Sequence, residues 1–338
     1  MSRLRVGLLA NSSAASGTAH RAGRQAAHLL RVAGISVVDL SGPTAAIAKA
    51  RALEVRDSLT ALVVVGGDGT IALGAEIVER TPVRLGVVAA GSGNDFARAM
   101  DLPIDDAPES VRGLLHAMSR PVVAIDAIEI TSALPEGPPL RSLALGNLNM
   151  GFDALVNARA NRATRPGSTR YTLSVLQELR RFAPLPYTIS VDGGEAFDLD
   201  ASMLTLTNTG VMGGGMRLVP DALVDDGYLS LVSLTGIGRG ELLRFFPRVF
   251  RGAHVSVQGF DVRRVREITV GLRDEEMSLR TYADGDARTL LPVSARILPG
   301  AVRILAEIPA QRSAGLGAGP DIAPDAERRP GPAVGGPR

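Results

Sequence analysis

The run Gly66-Gly67-Asp68-Gly69-Thr70 stands directly after the apolar stretch Ala61–Val65 and directly before a helical one. Glycines there let the chain turn tightly and bring its backbone close to a ligand. The helix that follows offers unpaired N–H groups and a partial positive charge, which suits an anion such as phosphate. An aspartate inside such a loop would repel phosphate, and the usual reason for one is Mg²⁺, which joins carboxylate to phosphate oxygens. A plain strand-to-helix turn with an aspartate cap would show the same residues. A second loop repeats the logic one strand later, where Gly91-Ser92-Gly93-Asn94-Asp95 follows Leu85–Ala89 and opens a short helix. A third small polar loop, Asn11-Ser12 through Thr18, lies at the same edge. Loops of this kind at the carboxyl ends of successive strands fit the crevice where open α/β sheets bind ligands. None carries Gly-x-Gly-x-x-Gly, which disfavours an ordinary dinucleotide-dependent dehydrogenase.

Composition removes much competing chemistry. The 338 residues contain no cysteine and no tryptophan, and Lys49 is the only lysine among 37 cationic residues. Thiol nucleophiles, disulfides and thiolate metal sites are excluded. A Walker-type loop and a protein-kinase lysine are excluded as well. Lys49 sits in a plain stretch, Ala45–Ala52, without a Schiff-base signature. A net charge of +2 gives no field of the kind that marks nucleic-acid binders, so no nucleic-acid partner is expected. The histidines His20, His28, His116 and His254 show no metal spacing. The start of the chain is badly flanked for a signal peptide, and no apolar run reaches transmembrane length, which predicts a cytoplasmic protein.

The elements that must position these loops follow from periodicity. Val6–Ala10, Ile35–Leu40, Ala61–Val65 and Leu85–Ala89 read as strands, alternating with helices over Thr18–Ala33, Thr44–Asp57 and Thr70–Arg80. Ser110–Ser119 adds another helix. This alternation predicts an α/β N-terminal domain with a parallel sheet, residues 1–124. From residue 125 the strands follow one another: Val122–Ile130, Ser142–Asn149, Tyr187–Asp192, Ala201–Thr207, Tyr228–Leu234, Glu267–Gly271 and Leu279–Ala283. Asp-Gly turns punctuate them, which predicts a β-rich, antiparallel, sandwich-like second domain over 125–308, whose last strand could return to the first domain. Helices are expected near Thr169–Ala183 and Gly238–Arg251. Residues 309–338, rich in Pro, Gly and Ala, read as a disordered tail.

Several motifs occur in a telling order: Gly66–Thr70, Gly91–Arg98, Gly151-Phe152-Asp153-Ala154, Gly213–Met216, Pro220-Asp221-Ala222, Asp226-Gly227-Tyr228-Leu229 and Asp284-Gly285-Asp286. Together, over roughly residues 4–308, the chain resembles the soluble bacterial diacylglycerol-kinase-like lipid kinases, relatives of sphingosine and ceramide kinases and more distantly of NAD kinase. The resemblance implies an NAD-kinase/phosphofructokinase-like first domain, ATP and Mg²⁺ as cofactors, and a lipid hydroxyl as acceptor, diacylglycerol first. It assigns ATP to Asn11, Ser12, Gly66, Gly67, Asp68, Gly69, Thr70, Gly91, Ser92, Gly93, Asn94 and Asp95. Asp68 would organise Mg²⁺·ATP, and Asp284 would be the general base beside Asp286, where the family usually has glutamate. On residues alone, Asp284-Gly285 is also an ordinary hairpin turn. A second, structural Mg²⁺ is implied at Asp226 with the carbonyls of Leu223 and Tyr228. Ala72 and Leu73 replace the Asn and Glu that often follow the loop.

A soluble kinase must reach a lipid in its bilayer peripherally, at the inner face of the membrane. Gly238–Arg251 places Arg244, Arg248 and Arg251 on one face opposite Leu242, Phe246, Val249 and Phe250, which fits a packed helix with a solvated arginine face more readily than a membrane-lying one. An exposed sheet edge in the second domain could pair two subunits as a homodimer. Two alternatives stay open: a NAD kinase, and an inactive nucleotide-binding regulatory protein.

Overall fold

A computed structural model describes residues 4–10, 17–132, 140–162, 183–238, 241, 257–274, 276–310 and 313. The first half alternates as the periodicity predicts: β1 (Arg5–Ala10), α1 (Thr18–Val32), β2 (Ser36–Asp39), α2 (Ala45–Val55), β3 (Ala61–Gly66), α3 (Asp68–Val78), β4 (Arg84–Ala89), α4 (Asp95–Ala99) and α5 (Ala107–Met118). Every residue of β3 is buried, as expected of a parallel strand covered on both faces. Helix α1 buries Ala19, Gly23, Ala26, Ala27 and Leu30, three and four residues apart, and so presents one apolar stripe to the sheet. Thr44 starts α2 by accepting the Ile47 N–H at 3.3 Å. Asp106 caps α5 by accepting that of Glu109 at 2.9 Å.

The second half contains β5 (Val123–Ser132), β6 (Arg141–Ala144), β7 (Asn147–Asn149), α6 (Phe152–Arg162), β8 (Leu185–Val191), β9 (Phe197–Ala201), β10 (Met203–Thr207), β11 (Val211–Met212), β12 (Met216–Arg217) and β13 (Leu229–Leu234). It ends with β14 (Phe260–Val265), β15 (Glu267–Leu272), β16 (Arg280–Ala283), β17 (Asp286–Leu290) and β18 (Val293–Ile304). One sheet has the order β2-β1-β3-β4-β18-β15-β8-β9, with β5 and β6 branching from β18. The other is antiparallel, in the order β14-β13-β10-β7-β16-β17. The two sheets enclose a core that includes Ile130, Leu148, Ile189, Leu206, Leu231 and Val270. The fold class is therefore the expected one, an α/β layer with a mostly parallel sheet followed by an antiparallel sandwich.

Three details differ from the sequence expectation. The single strand expected over Ser142–Asn149 is two, β6 and β7, interrupted at Leu145-Gly146. Helix α6 begins directly after Gly151, where no helix was expected. Strand β18, which is not among the strands named from the sequence, runs through Pro299-Gly300: its register with β5 shifts between Leu298 and Val302. A bulge accommodates the proline, and the Gly300 N–H donates to Asp126 Oδ1 at 2.7 Å. Beyond the bulge, Ile304 pairs in parallel with Leu85 of β4, so the last strand joins the sheet of the first domain. The helices expected at Thr169–Ala183 and Gly238–Arg251, and the tail 309–338, lie almost wholly outside the described residues.

Candidate active site

Asp68 stands in the first turn of α3, but its carboxylate serves the next loop. Its Oδ2 accepts the N–H of Asp95 at 3.1 Å and its Oδ1 that of Phe96 at 2.9 Å, so it caps α4. Asp95 in turn accepts the N–H groups of Gly214 and Gly215 on Oδ1, at 2.8 and 2.9 Å. Two carboxylates thus tie three glycine-rich loops together, one of them from the β-rich half. Gly67 and Gly91 touch through their backbones: a β-carbon on Gly91 would overlap the Gly67 α-carbon. The glycines of the two loops are needed for this loop-to-loop packing. Asn94, in the left-handed region at φ 55°, holds the second loop's shape. Its side chain accepts the Gly91 N–H at 2.9 Å and donates to the Gly91 carbonyl at 2.8 Å.

Facing these loops is the turn between β16 and β17. Asp284 and Gly285 both have positive φ, 50° and 81°, as a two-residue hairpin turn requires. The turn is an ordinary hairpin in its backbone and something further in its side chain. Asp284 Oδ1 accepts the N–H groups of Gly146 and Asn147, at 3.0 and 2.9 Å, and Oδ2 accepts that of Leu145 at 2.8 Å. These donors are free because β6 and β7 are interrupted there. Each carboxylate oxygen has two lone pairs, so Oδ1 is fully used and Oδ2 keeps one. Two residues on, the carboxylate of Asp286 lies against Gly69.

Asp68, Asp95, Asp284, Asp286 and Glu76 all line one cleft of about 480 Å³, together with Gly67, Gly69, Thr70, Gly91, Ser92 and Gly93. Burial pushes the Asp68 carboxyl above its ordinary range. Burial and then the charge of Asp68 do the same to Asp95. Asp284 is pushed up to about 6, by burial first and by the Asp68 charge after it. A wall of mutually repelling carboxylates beside helix N-termini suits a hard cation that arrives with phosphate. Among the described residues no three acidic or histidine side chains converge to hold an ion by themselves. A Mg²⁺ carried on a triphosphate needs only one or two carboxylates, and this donor set meets that need.

The turn expected to hold a second ion carries a charge pair. Asp226 Oδ2 is paired with Arg264 Nη2 at 2.6 Å, and its Oδ1 accepts the Tyr228 N–H at 2.9 Å. The Arg264 guanidinium lies 4.2 Å above the Tyr228 ring. Asp226, which the resemblance assigns to a structural Mg²⁺ with the carbonyls of Leu223 and Tyr228, is thus paired here with an arginine of this chain. Neighbouring Asp126 accepts the Gly227 N–H at 2.7 Å, which helps hold the turn without an ion.

Asn11 and Ser12 lie outside the described residues. Arg98 donates from Nε to the Gly93 carbonyl at 3.2 Å and so braces the second loop. The cleft also contains residues the sequence reading did not single out: Glu76, Asn147, Asn149 and Arg288. The Oδ1 atoms of Asn147 and Asn149 are buried without a partner. Their signal was present, since two asparagines spaced by two in an otherwise apolar strand put polar groups on one face. Asp153, in the Gly-Phe-Asp-Ala motif, is structural: it accepts the Gly151 N–H at 3.0 Å and the Thr205 hydroxyl at 2.7 Å.

The fold resembles the crystal structure of a diacylglycerol kinase from Bacillus anthracis, with a TM-score of 0.68 at 18% identity over 91% of this chain and 98% of that one. It resembles yeast NADH kinase at a TM-score of 0.50 and 12% identity, covering 91% of this chain and 85% of that one. Residues 5–127 match the diacylglycerol kinase catalytic domain, and residues 146–306 the YegS C-terminal NAD kinase beta sandwich-like domain. A diacylglycerol kinase from Mycobacterium tuberculosis is 32% identical over 304 residues, 89% of this chain and 94% of that protein. One from Bacillus subtilis is 27% identical, over 68% of this chain and 72% of its own length. The chain belongs to the diacylglycerol kinase-like lipid kinase family, and it is a kinase.

Proposed function

We propose that the chain transfers the γ-phosphate of ATP to a lipid hydroxyl, with diacylglycerol the first candidate acceptor and phosphatidic acid its product. The observation that carries this reading is Asp284, set in the cleft wall opposite the two phosphate-type loops with one lone pair of Oδ2 unused. The triphosphate lies along the loops at Gly66–Thr70 and Gly91–Asp95, where helix N-termini and backbone N–H groups meet its charge. Mg²⁺, when bound, neutralises charge on the phosphates, and Asp68 and Asp286 are the carboxylates that would hold it. Asp284 accepts the acceptor's hydroxyl proton on Oδ2 as that oxygen bonds to the γ-phosphorus and the bond to the β-phosphate oxygen breaks, releasing ADP. With its ordinary pKa raised to about 6, Asp284 is ionised at neutral pH yet basic enough to take the proton.

Among the described residues no helix is long and apolar enough to cross a membrane. Contact with a lipid at the inner membrane face, peripheral and reversible, belongs to this proposal. Incubation with labelled ATP and Mg²⁺ against diacylglycerol, ceramide, sphingosine, a polyprenol and NAD tests it. Label in a lipid product supports the reading. Label in NADP instead would make the chain a NAD kinase, and binding of ATP without transfer to any acceptor would overturn the assignment.

A further inference from the structure

The cleft has a charge imbalance. Five of its described lining residues are acidic, Asp68, Glu76, Asp95, Asp284 and Asp286, and Arg288 alone among them is basic. A triphosphate would add several negative charges. The chain's one lysine is not free to help, because Lys49 is paired with Glu76 at 2.6 Å. Arg98 is turned onto the Gly93 carbonyl.

Arg288 is held in an unusual backbone. In the hairpin of β16 and β17, Tyr282 pairs with Ala287 and Arg280 with Leu290. Thr281 therefore faces two residues, Arg288 and Thr289, and β17 bulges at them. Bulges redirect side chains and concentrate beside active sites. The bulge's carbonyls are tied down by side chains: Arg280 donates to the Arg288 oxygen at 2.8 Å, and the Thr281 hydroxyl to the Thr289 oxygen at 2.9 Å. The Arg288 Nε is buried, and no described residue accepts a hydrogen bond from it. Its charge acts on the carboxyls of Asp284 and Asp286, with which it shares the cleft, but no ion pair closes with either among the described residues. A buried guanidinium donor without an acceptor is a costly arrangement unless a ligand completes it.

We infer that Arg288 binds the terminal phosphate of the nucleotide, meeting its oxygens with the guanidinium fork and stabilising their charge during transfer. This rests on the reading of the cleft as an ATP-dependent phosphotransfer site. Arg288 follows Asp284 by four residues on the same hairpin, so one element delivers both the group that takes the acceptor's proton and the group that meets the transferred phosphate. Arginine suits this role through its planar fork and fixed charge.

The test compares the wild-type chain with Arg288→Ala, Arg288→Gln and Arg288→Lys, measuring affinity for ATP, ADP and AMP and single-turnover transfer. The expected result is a loss of tenfold or more in ATP affinity for the Ala and Gln variants. ADP and AMP affinities should change less than threefold, and transfer should fall by about a hundredfold or more. The Lys variant should recover part of both. Equal losses for all three nucleotides, unchanged ATP binding, or unfolding of both the Gln and the Lys variants would each overturn the assignment and leave Arg288 a structural residue. Wild-type transfer with normal variants would sink this inference alone, whereas failure of the wild-type chain to bind ATP would sink the kinase reading with it.

Discussion

The carboxylate of Asp286 occupies the space that a β-carbon on Gly69 would need. A residue at the start of β17 thereby reaches the phosphate loop at the start of α3, and the third glycine of Gly-Gly-Asp-Gly exists to receive it. Gly69→Ala should push aside only the end of a flexible side chain, so the fold should survive. Turnover should fall tenfold or more while the melting temperature changes by no more than a few degrees. Gly91→Ala contrasts with it, because its β-carbon meets Gly67 backbone that cannot step aside. That variant should lose roughly 1–3 kcal/mol of stability in denaturant titration. Wild-type turnover in Gly69→Ala would remove Asp286 from the reaction.

Asp284 makes a sharper test. Asp284→Ala should lower kcat by about 10²–10⁴, the usual range for a lost general base, with ATP binding kept within a few-fold. Because Leu145, Gly146 and Asn147 would lose their acceptor, a modest fall in melting temperature should accompany it. Near-normal turnover would show that another group takes the proton.

The same residue predicts a pH profile. Its pKa near 6 means that kcat/KM should rise as pH climbs through about 6 and fall about tenfold per unit below it, a limb missing from the residual activity of Asp284→Ala. Stability should move the other way. The folded chain holds this proton more tightly than the unfolded chain, so between about pH 4 and 6 the folded state binds more protons and stability declines as pH rises. Thermal melts across that interval should show a steeper decline for wild type than for Asp284→Ala. A profile flat through pH 6 would contradict both assignments.

Arg264 permits a test of the second half. If this guanidinium is the cation that Asp226 needs, EDTA should leave the wild-type melting temperature unchanged. Arg264→Ala should lower it at neutral pH, and the loss should shrink in acid as Asp226 takes up a proton, since burial already raises its pKa. A fall of several degrees on chelation, reversed by added Mg²⁺, would restore an ion to this turn.

The order of layers was legible in the chain because it rests on local periodicity. All-apolar runs such as Leu62–Val65 and three-and-four spacing in α1 leave few other folds for residues 4–118. The glycine-rich loops were legible for the same reason, since a turn between a buried strand and a helix has strong local rules. What those loops do for each other was not. Asp68 reads as a ligand-facing residue, and only the tertiary hydrogen bonds from Asp95 and Phe96 show that it also caps α4. The break at Leu145-Gly146 that arms Asp284 also has no local signature, because the reason for it lies 138 residues away in Gly146 N–H donating to Asp284. Arg264 on Asp226 and the bulge at Arg288 are likewise facts of strand pairing. Sequence by itself determined which elements form and which residue types could do phosphoryl chemistry, because helix and strand patterns and turn residues act over a few positions. Tertiary structure decided which carboxylate faces the cleft, which one braces a loop and which one is already neutralised, because hydrogen-bond partners and burial are set by residues far apart in the chain.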